Sequence, residues 1–142
     1  MSCDVVKGLA DSAFSAILAP DSQRLPDLRS DEMDHYYCRH DLARFSDMGK
    51  ESPALWEKFL GWYNAVFAEG ALSEREKSLI ALAVAHTVQC PYCIDAYTTN
   101  CLEKGSNLEQ MTEAVHVAAA IRGGSSLVHG VQMRNIVEKL EM

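Results

Sequence analysis

Two cysteines separated by two residues, in the motif Cys90-Pro91-Tyr92-Cys93, are the part of this sequence best suited to chemistry. Proline is favoured in the first turn of a helix, and it pushes the residue before it out of helical geometry. We therefore predict that Cys90 lies at a helix start, with Cys93 one turn further on the same face and within disulfide reach. The helix dipole and unpaired N–H groups there would lower a thiol pKa from its usual value of about 8.5. Such a pair can perform thiol–disulfide exchange or peroxide reduction, in which one thiolate attacks and the other captures.

Other roles for the pair are weaker. A zinc site takes four ligands, and a second Cys-x-x-Cys is absent, although His35, Cys38 and His40 could complete one. Nothing in the sequence ties those residues to the motif. A thioredoxin-like βαβ unit is excluded by the lack of strand patterns, and an odd total of five cysteines argues against a purely structural disulfide framework. Redox chemistry is the interpretation that fits the spacing.

Length and charge limit the protein class. The 142 residues fit a single domain, which we divide into an N-terminal helical extension over about 1–50 and a core over about 51–142. The formal charge of −7 argues against a nucleic-acid surface. No signal-peptide pattern is evident, and the longest apolar run, residues 79–85, is too short to span a bilayer. The expectation is a cytoplasmic protein, where a Cys-x-x-Cys is more often catalytic than structural.

The segments that position Cys90 and Cys93 are all predicted to be helices. Apolar residues recur at helical spacing, while the alternating runs typical of strands are missing. Ser73 and Glu76 form a capping box before a run, residues 79–88, that is apolar nearly all round and is predicted to form the buried centre. A break is expected at Gly123-Gly124. The predicted helices cover about 4–18, 34–45, 53–69, 74–88, 91–104, 108–122 and 125–140.

The helix over 53–69 predicts an assembly of several subunits. Its apolar residues cover more than half of its circumference, which is too wide for a stripe that faces a single core. Such a helix is either central to the fold or also part of a subunit interface. Because it retains so little polar surface, we expect a homo-oligomer.

Several of these segments resemble the alkylhydroperoxidase D-like, carboxymuconolactone decarboxylase family, with cover from about Trp56 to His129. A stretch upstream, residues 36–71 with Asp41-Leu42-Ala43-Arg44-Phe45, is similar to a narrower, peroxidase-like branch associated with arsenosugar biosynthesis. The segments that carry the wider resemblance are 72–77, 79–85, 90–94 and 113–120, followed by 123–124.

The resemblance implies an all-α fold, a compact bundle of about six to seven antiparallel helices. It also implies homo-oligomers, typically trimers or hexamers, that need no cofactor. The substrate would be a small peroxide, thiol or disulfide, and a separate reductant would recycle the protein. In redox members the second cysteine attacks and the first resolves, which would make Cys93 peroxidatic and Cys90 resolving. The dipole argument alone favours Cys90, so the order stays open.

The chain departs from the family pattern at the groups that move protons. The family has a Glu twelve residues before the first cysteine and a His four residues after the second, where this sequence has Ser78 and Tyr97. Serine cannot act as a carboxylate base, and tyrosine, with a pKa near 10, is a poor base at neutral pH. His86, four residues before Cys90, is our candidate replacement, because the C-terminal end of its helix favours imidazolium beside a thiolate. A histidine hydrogen-bonded within the core is the alternative.

Other polar residues are expected to have structural roles. Glu76 is explained by capping, Tyr97 by packing, and Cys101 as a buried free thiol rather than a third redox group. His116 and His129 lie in apolar stretches and are predicted to be core histidines. Tyr92 is expected to close one side of the pocket.

Three functions follow from these observations. The leading one is a peroxiredoxin-type oxidoreductase that reduces hydroperoxides or disulfides through Cys90 and Cys93, with His86 as base. The second is a decarboxylase or lactone-processing enzyme, although such members of the family do not rely on a Cys-x-x-Cys pair. The third is an arsenic-binding carrier, because two neighbouring soft sulfurs chelate trivalent arsenic.

Overall fold

A computed structural model describes residues 37–141, and this range is all-helical, which confirms the predicted fold class. The expected helix over 4–18, together with Cys3 and His35, lies outside the described residues. The division into an extension and a core therefore stays a prediction. The described elements are α1 (Arg39–Ala43), a 3₁₀ helix (Phe45–Gly49), α2 (Pro53–Phe67), α3 (Glu74–Val88), α4 (Pro91–Glu103) and α5 (Leu108–Leu140).

Side chains of residues 73–77 form hydrogen bonds that cap the C-terminal end of α2 and the N-terminal end of α3. Pro53 opens α2, as predicted, and the Lys77 ammonium donates hydrogen bonds to the Val66 and Ala68 carbonyl oxygens at its far end. The predicted capping box is confirmed at the start of α3: the Glu76 backbone N–H bonds to the Ser73 hydroxyl oxygen, and the Glu76 carboxylate accepts the Ser73 backbone N–H. The Ser73 hydroxyl also donates to the Glu76 carboxylate, and this bond, together with that of the Ser73 backbone N–H, lowers the pKa of Glu76.

The link between α3 and α4 is only two residues long and determines where the first cysteine lies. Gln89 adopts the left-handed conformation, with φ of +56°, and ends α3. The Ala85 carbonyl oxygen accepts the N–H groups of both Gln89 and Cys90, which closes the last turn of α3. Pro91 then starts α4, so Cys90 lies between the two helices.

The expected break at Gly123-Gly124 is wrong, because α5 is one helix of 33 residues. Neither of these glycines adopts positive φ, and no proline interrupts the segment. Two glycines cost a helix roughly 1 kcal/mol each, which the rest of a long helix can offset. The two helices predicted over 108–140 are therefore a single helix. The second half of this helix extends beyond the predicted compact bundle.

The core lies where α3 packs along α4 and α5. Its buried members are Leu82 and Ala85 from α3, then Tyr97, Cys101 and Met111. The prediction that residues 79–88 form the buried centre of the fold is right for one face of α3 only. The opposite face, with Ile80, Val84 and Val88, is exposed. Both His116 and His129 are exposed on α5, so the prediction that they are core histidines is wrong.

None of the helices described over residues 37–141 is long and apolar enough to cross a membrane.

Candidate active site

Cys90 and Cys93 are joined as a disulfide at the start of α4, with their Cα atoms 5.2 Å apart. Cys90 is the N-cap residue, in extended conformation, and its sulfur accepts the backbone N–H of Cys93 at 3.2 Å. Both side chains are half-buried. The placement predicted from Pro91 is confirmed: the two sulfurs lie together at the positive end of a helix.

A groove of about 470 Å³ lies between α2, α3 and the first turns of α4, and Cys93 forms part of its wall. Among the described cysteines, Cys93 alone lines it. We call the exposed residues at its edge the rim: Trp62, Val66, Leu72, Ile80, Val84 and Val88. We call the half-buried or buried residues beneath them the floor: Tyr63, Phe67, Ala81, Ala85, Cys93 and Tyr97.

The groove is almost entirely apolar. Among its described residues the one charged side chain is Lys77, whose ammonium is already hydrogen-bonded to the two carbonyl oxygens that end α2. A surface of this kind suits an organic molecule rather than a small polar one. Since Cys93 lies on the floor, a ligand in the groove would lie against its sulfur.

Tyr97 occupies the position of the family histidine and separates the groove from a second, smaller cavity. Its buried ring stacks on Phe67, and its hydroxyl is hydrogen-bonded to the hydroxyl of Tyr63. Burial raises the pKa of Tyr97 far above its ordinary value, and its bond to Tyr63 adds to the shift. Burial also raises the pKa of Tyr63. Both hydroxyls therefore stay protonated at neutral pH, and the predicted structural role of Tyr97 fits its contacts.

Ser78 occupies the position of the family glutamate and is 1 % exposed. Its hydroxyl lies 2.5 Å from the Asn100 side-chain oxygen and 2.8 Å from the Glu74 carbonyl oxygen, and its single proton is donated to one of these acceptors at a time. Beside it lies an inner cavity of about 10 Å³, which has room for about one water molecule. This inner cavity is also lined by the ion pair of Glu74 with Lys104.

His86 is half-buried on α3 and is not among the residues that line the groove. Its Nδ1 lies 2.9 Å from the Leu82 carbonyl oxygen, which can only accept, so Nδ1 carries the proton. The spacing of four residues to Cys90 does not place the two side by side, because α3 ends at Val88 and the chain turns at Gln89. No described hydrogen bond joins His86 to either cysteine. Its role as base stays a prediction.

The segment over residues 37–41 lies against the first turns of α4. The Tyr37 ring contacts that of Tyr92 at 4.6 Å, and the Tyr37 hydroxyl donates to the Asp95 carboxylate. The Tyr92 hydroxyl donates to Asp41 and accepts the Cys38 backbone N–H. Tyr92 thus faces this segment and does not line the groove, so its expected place in the pocket wall is wrong.

Two further expectations concern the remaining cysteines. Cys101 is fully buried, and burial raises the pKa of its thiol, which makes it a core residue as predicted. Cys38 is exposed, with its sulfur 3.7 Å from His40 Nδ1. Within residues 37–141, no three His, Cys, Asp or Glu side chains are grouped so that they could hold a metal ion.

The residues around Ser78 and Tyr97 carry no sequence motif that identifies them. Asn100 could have been placed near Ser78 only by knowing how α3 and α4 pack. Tyr63 has no motif that pairs it with Tyr97, since the two are 34 residues apart on different helices. The only usable signal was the unusually aromatic run of α2, which we interpreted as a packing or subunit surface.

Comparison with known proteins agrees with this geometry. The family model of the carboxymuconolactone decarboxylase family matches residues 53–133, which is more than half of the chain. The chain belongs to this family. The match spans α2, α3, α4 and most of α5. It includes Cys90 and Cys93, as well as Ser78 and Tyr97.

Relatives of the chain carry the same core. A curated protein of Paracoccus denitrificans, named uncharacterized protein 4 in cox locus, is 34 % identical over 99 residues, covering 70 % of this chain and 89 % of that protein. An uncharacterized protein of Cupriavidus necator is 28 % identical over 86 residues, covering 61 % and 76 %. A crystal structure of a Methanobacterium thermoautotrophicum protein is 37 % identical with a TM-score of 0.57 and covers 59 % of this chain and 97 % of its own.

Proposed function

We propose that this protein is a thiol-dependent oxidoreductase of the carboxymuconolactone decarboxylase family, which reduces organic hydroperoxides or disulfides. The observation that carries the proposal is the position of Cys93. It lies on the floor of an apolar groove, and its resolving partner Cys90 is already bonded to it at the start of α4. The apolar lining favours an organic substrate over hydrogen peroxide.

The reaction proceeds in two steps on a hydroperoxide. The Cys93 thiolate attacks the terminal oxygen, the O–O bond breaks, and the alkoxide leaves as an alcohol after taking up a proton. Cys93 becomes a sulfenic acid. The Cys90 thiolate then attacks the Cys93 sulfur, which forms the disulfide and releases water with one further proton. A dithiol reductant returns both cysteines to thiols by exchange. With a disulfide substrate, attack by Cys93 gives a mixed disulfide that Cys90 resolves.

Stopped-flow oxidation of the reduced protein by cumene hydroperoxide tests the proposal. We expect Cys93→Ser to abolish the fast reaction. Cys90→Ser should react once and leave a sulfenic acid that dimedone traps. Cys101→Ser is the matched control, since this thiol is buried away from the groove, and it should keep the rate. A wild-type rate no faster than that of free cysteine would overturn the proposal.

Two extensions of the test address the base and the competing functions. If His86 is the base, His86→Gln should slow alkylation of Cys93 at neutral pH, and an unchanged rate would remove that role. A second candidate is the arsenic-binding carrier, favoured by the two adjacent sulfurs at one helix start. Binding of one arsenite per reduced pair, combined with no peroxide reaction, would support the carrier. A protein active only on a carboxylated lactone would support the decarboxylase alternative.

A further inference from the structure

The second half of α5 has no packing partner among the described residues. From residue 119 onward every residue of this helix is exposed except Gly130. With 33 residues α5 is about 50 Å long, whereas the 15 residues of α3 extend for only about 22 Å. More than half of α5 therefore projects beyond the core. A helix with this much exposed apolar surface indicates an interaction site.

One face of the projecting helix has the pattern of a helix that binds a partner. Apolar or small residues recur at alternating spacings of four and three, the seam spacing of packed helices. Gly124 lies in this seam and lets a neighbouring backbone come close. We call this face the α5 seam: Val117, Ile121, Gly124, Val128 and Val131, whose apolar members are 50 % to 71 % exposed.

The groove beside Cys93 has the shape that such a helix fits. Its rim has two ridges, one from Ile80, Val84 and Val88 on α3 and one from Trp62 and Val66 on α2. Within each ridge the residues are four apart, so each ridge runs along its helix. Two apolar ridges with a trough between them are the receiving half of a helix-in-groove contact.

We propose that the α5 seam of a second copy of this chain docks on the rim and closes the groove over Cys93. The amount of apolar surface agrees with this occupant. Six apolar side chains of the rim and four of the seam, at roughly 100 Å² each, together carry on the order of 1,000 Å² of exposed apolar surface. With its polar edge, one such contact buries on the order of 1,000 Å², and a reciprocal pair about twice that, which is what a stable dimer needs.

The docked α5 seam covers the groove without occupying the space above its floor. The seam rests on exposed side chains, while the floor, with Cys93 and Tyr97, lies deeper and stays as an enclosed apolar cavity. This consequence rests on the proposed function: the second copy supplies the missing wall of the substrate cavity and excludes water from the sulfur. A single copy would leave the sulfur open to solvent.

Light scattering after size exclusion tests the contact without any redox readout. The wild type should have the mass of an oligomer, and both Val128→Glu in the seam and Val84→Glu on the rim should be monomers. Leu102→Glu, an exposed apolar residue of α4 outside both surfaces, is the matched control and should stay oligomeric. A mixture of the two monomeric variants should recover one of the two contacts, because the first keeps an intact rim and the second an intact seam, and it should form a heterodimer that dissociates at a higher concentration than the wild type.

Two outcomes would overturn the proposal. If Val128→Glu is monomeric while Val84→Glu assembles normally, α5 binds another surface. If the wild type is itself a monomer, something other than a second copy, such as residues 1–36, covers the rim. Should the variants fail to fold, as judged by circular dichroism, acrylamide quenching of wild-type fluorescence replaces them. Trp62 on the rim should become more accessible when the protein is diluted, and unchanged quenching would contradict the contact.

The monomeric variants also separate this proposal from the function. The rate of Val128→Glu, which is changed outside the groove, should fall by about tenfold with cumene hydroperoxide and stay within about twofold with hydrogen peroxide. If neither wild type nor variants react with peroxide, the proposed function fails while the assembly result stands. If the variants are monomers that react like the wild type with both peroxides, closure over Cys93 is wrong.

Discussion

The two cavities on either side of the Tyr63–Tyr97 pair differ in nearly every property. The outer groove is large, apolar and open, and it contains the sulfur of Cys93. The inner cavity has room for about one water molecule, and it is lined by Ser78, Asn100 and the Glu74–Lys104 ion pair but by none of the described cysteines. Only two tyrosine rings and Phe67 belong to both.

The groove is therefore the candidate site of chemistry, whereas the polar groups around the inner cavity form hydrogen bonds that hold the helices together. The thiol that we propose as nucleophile is in the groove, whereas the two positions that hold proton-transferring groups in the family belong to hydrogen bonds that join helices. Ser78 ties α3 to α4 through Asn100, and Tyr97 ties α4 to α2 through Tyr63. Among the described residues, the start of α4 is the feature beside this thiol that would favour a thiolate.

The largest effect is expected from Ser78→Glu, which restores the glutamate that the family has at this position. Ser78→Glu would force a larger, charged side chain into a buried site with an inner cavity of only about 10 Å³. We expect a loss of about 3 kcal/mol or more in unfolding free energy, measured by urea denaturation. Ser78→Ala is the control and should lose about 1–2 kcal/mol. A stable Ser78→Glu protein with a faster peroxide reaction would show that the inner cavity accepts a relay carboxylate.

The next effect concerns the tyrosine pair and appears at alkaline pH. Below pH 10 Tyr97 is neutral in both the folded and unfolded states. Above it, the unfolded state ionises while burial, which raises the pKa of Tyr97, keeps the folded state protonated. Stability should therefore fall as pH rises above 10, by up to about 1.4 kcal/mol per pH unit for this group. Tyr97→Phe should lose about 1 kcal/mol at pH 8 and then fall less steeply. Equal slopes in urea titrations would contradict the burial argument.

A smaller effect tests whether Lys77, the one cation among the described residues of the groove, serves the fold. Lys77→Met removes the two hydrogen bonds that end α2 and should cost about 1 kcal/mol in unfolding free energy. Lys58→Met, an exposed residue of α2, should change stability by less than about 0.5 kcal/mol. Neither variant should alter the alkylation rate of Cys93. A slower rate in Lys77→Met alone would place this ammonium in the chemistry.

The smallest effect tests the turn before the motif. Gln89 has φ of +56°, where glycine avoids the steric cost of a side chain. Gln89→Gly should raise the unfolding free energy by about 0.5–1 kcal/mol, as measured by thermal and urea denaturation. Glu113→Gly, on an exposed turn of α5, is the opposite control and should lower it by a similar amount. A destabilised Gln89→Gly protein would mean that the turn draws its stability from the glutamine side chain.

Local signals predicted much of the fold. Pro53, Pro91 and the Ser73–Glu76 box each act within one turn of the chain, and each begins a helix where expected. Gly123-Gly124 was misinterpreted because two glycines lower helix propensity without forbidding the helical conformation. The outcome then depends on the whole 33-residue helix rather than on the pair.

The sequence by itself determined the dithiol: its spacing and its place at a helix start follow from neighbouring residues, and the departures at Ser78 and Tyr97 follow from the resemblance to the family. Only the tertiary structure decided what each of these groups faces. Cys93 lies in the groove while His86 lies outside it, and Ser78 meets Asn100 from another helix. The reason is that a side chain's partners across 20 or more residues depend on how helices pack, and spacing along one helix carries no record of that.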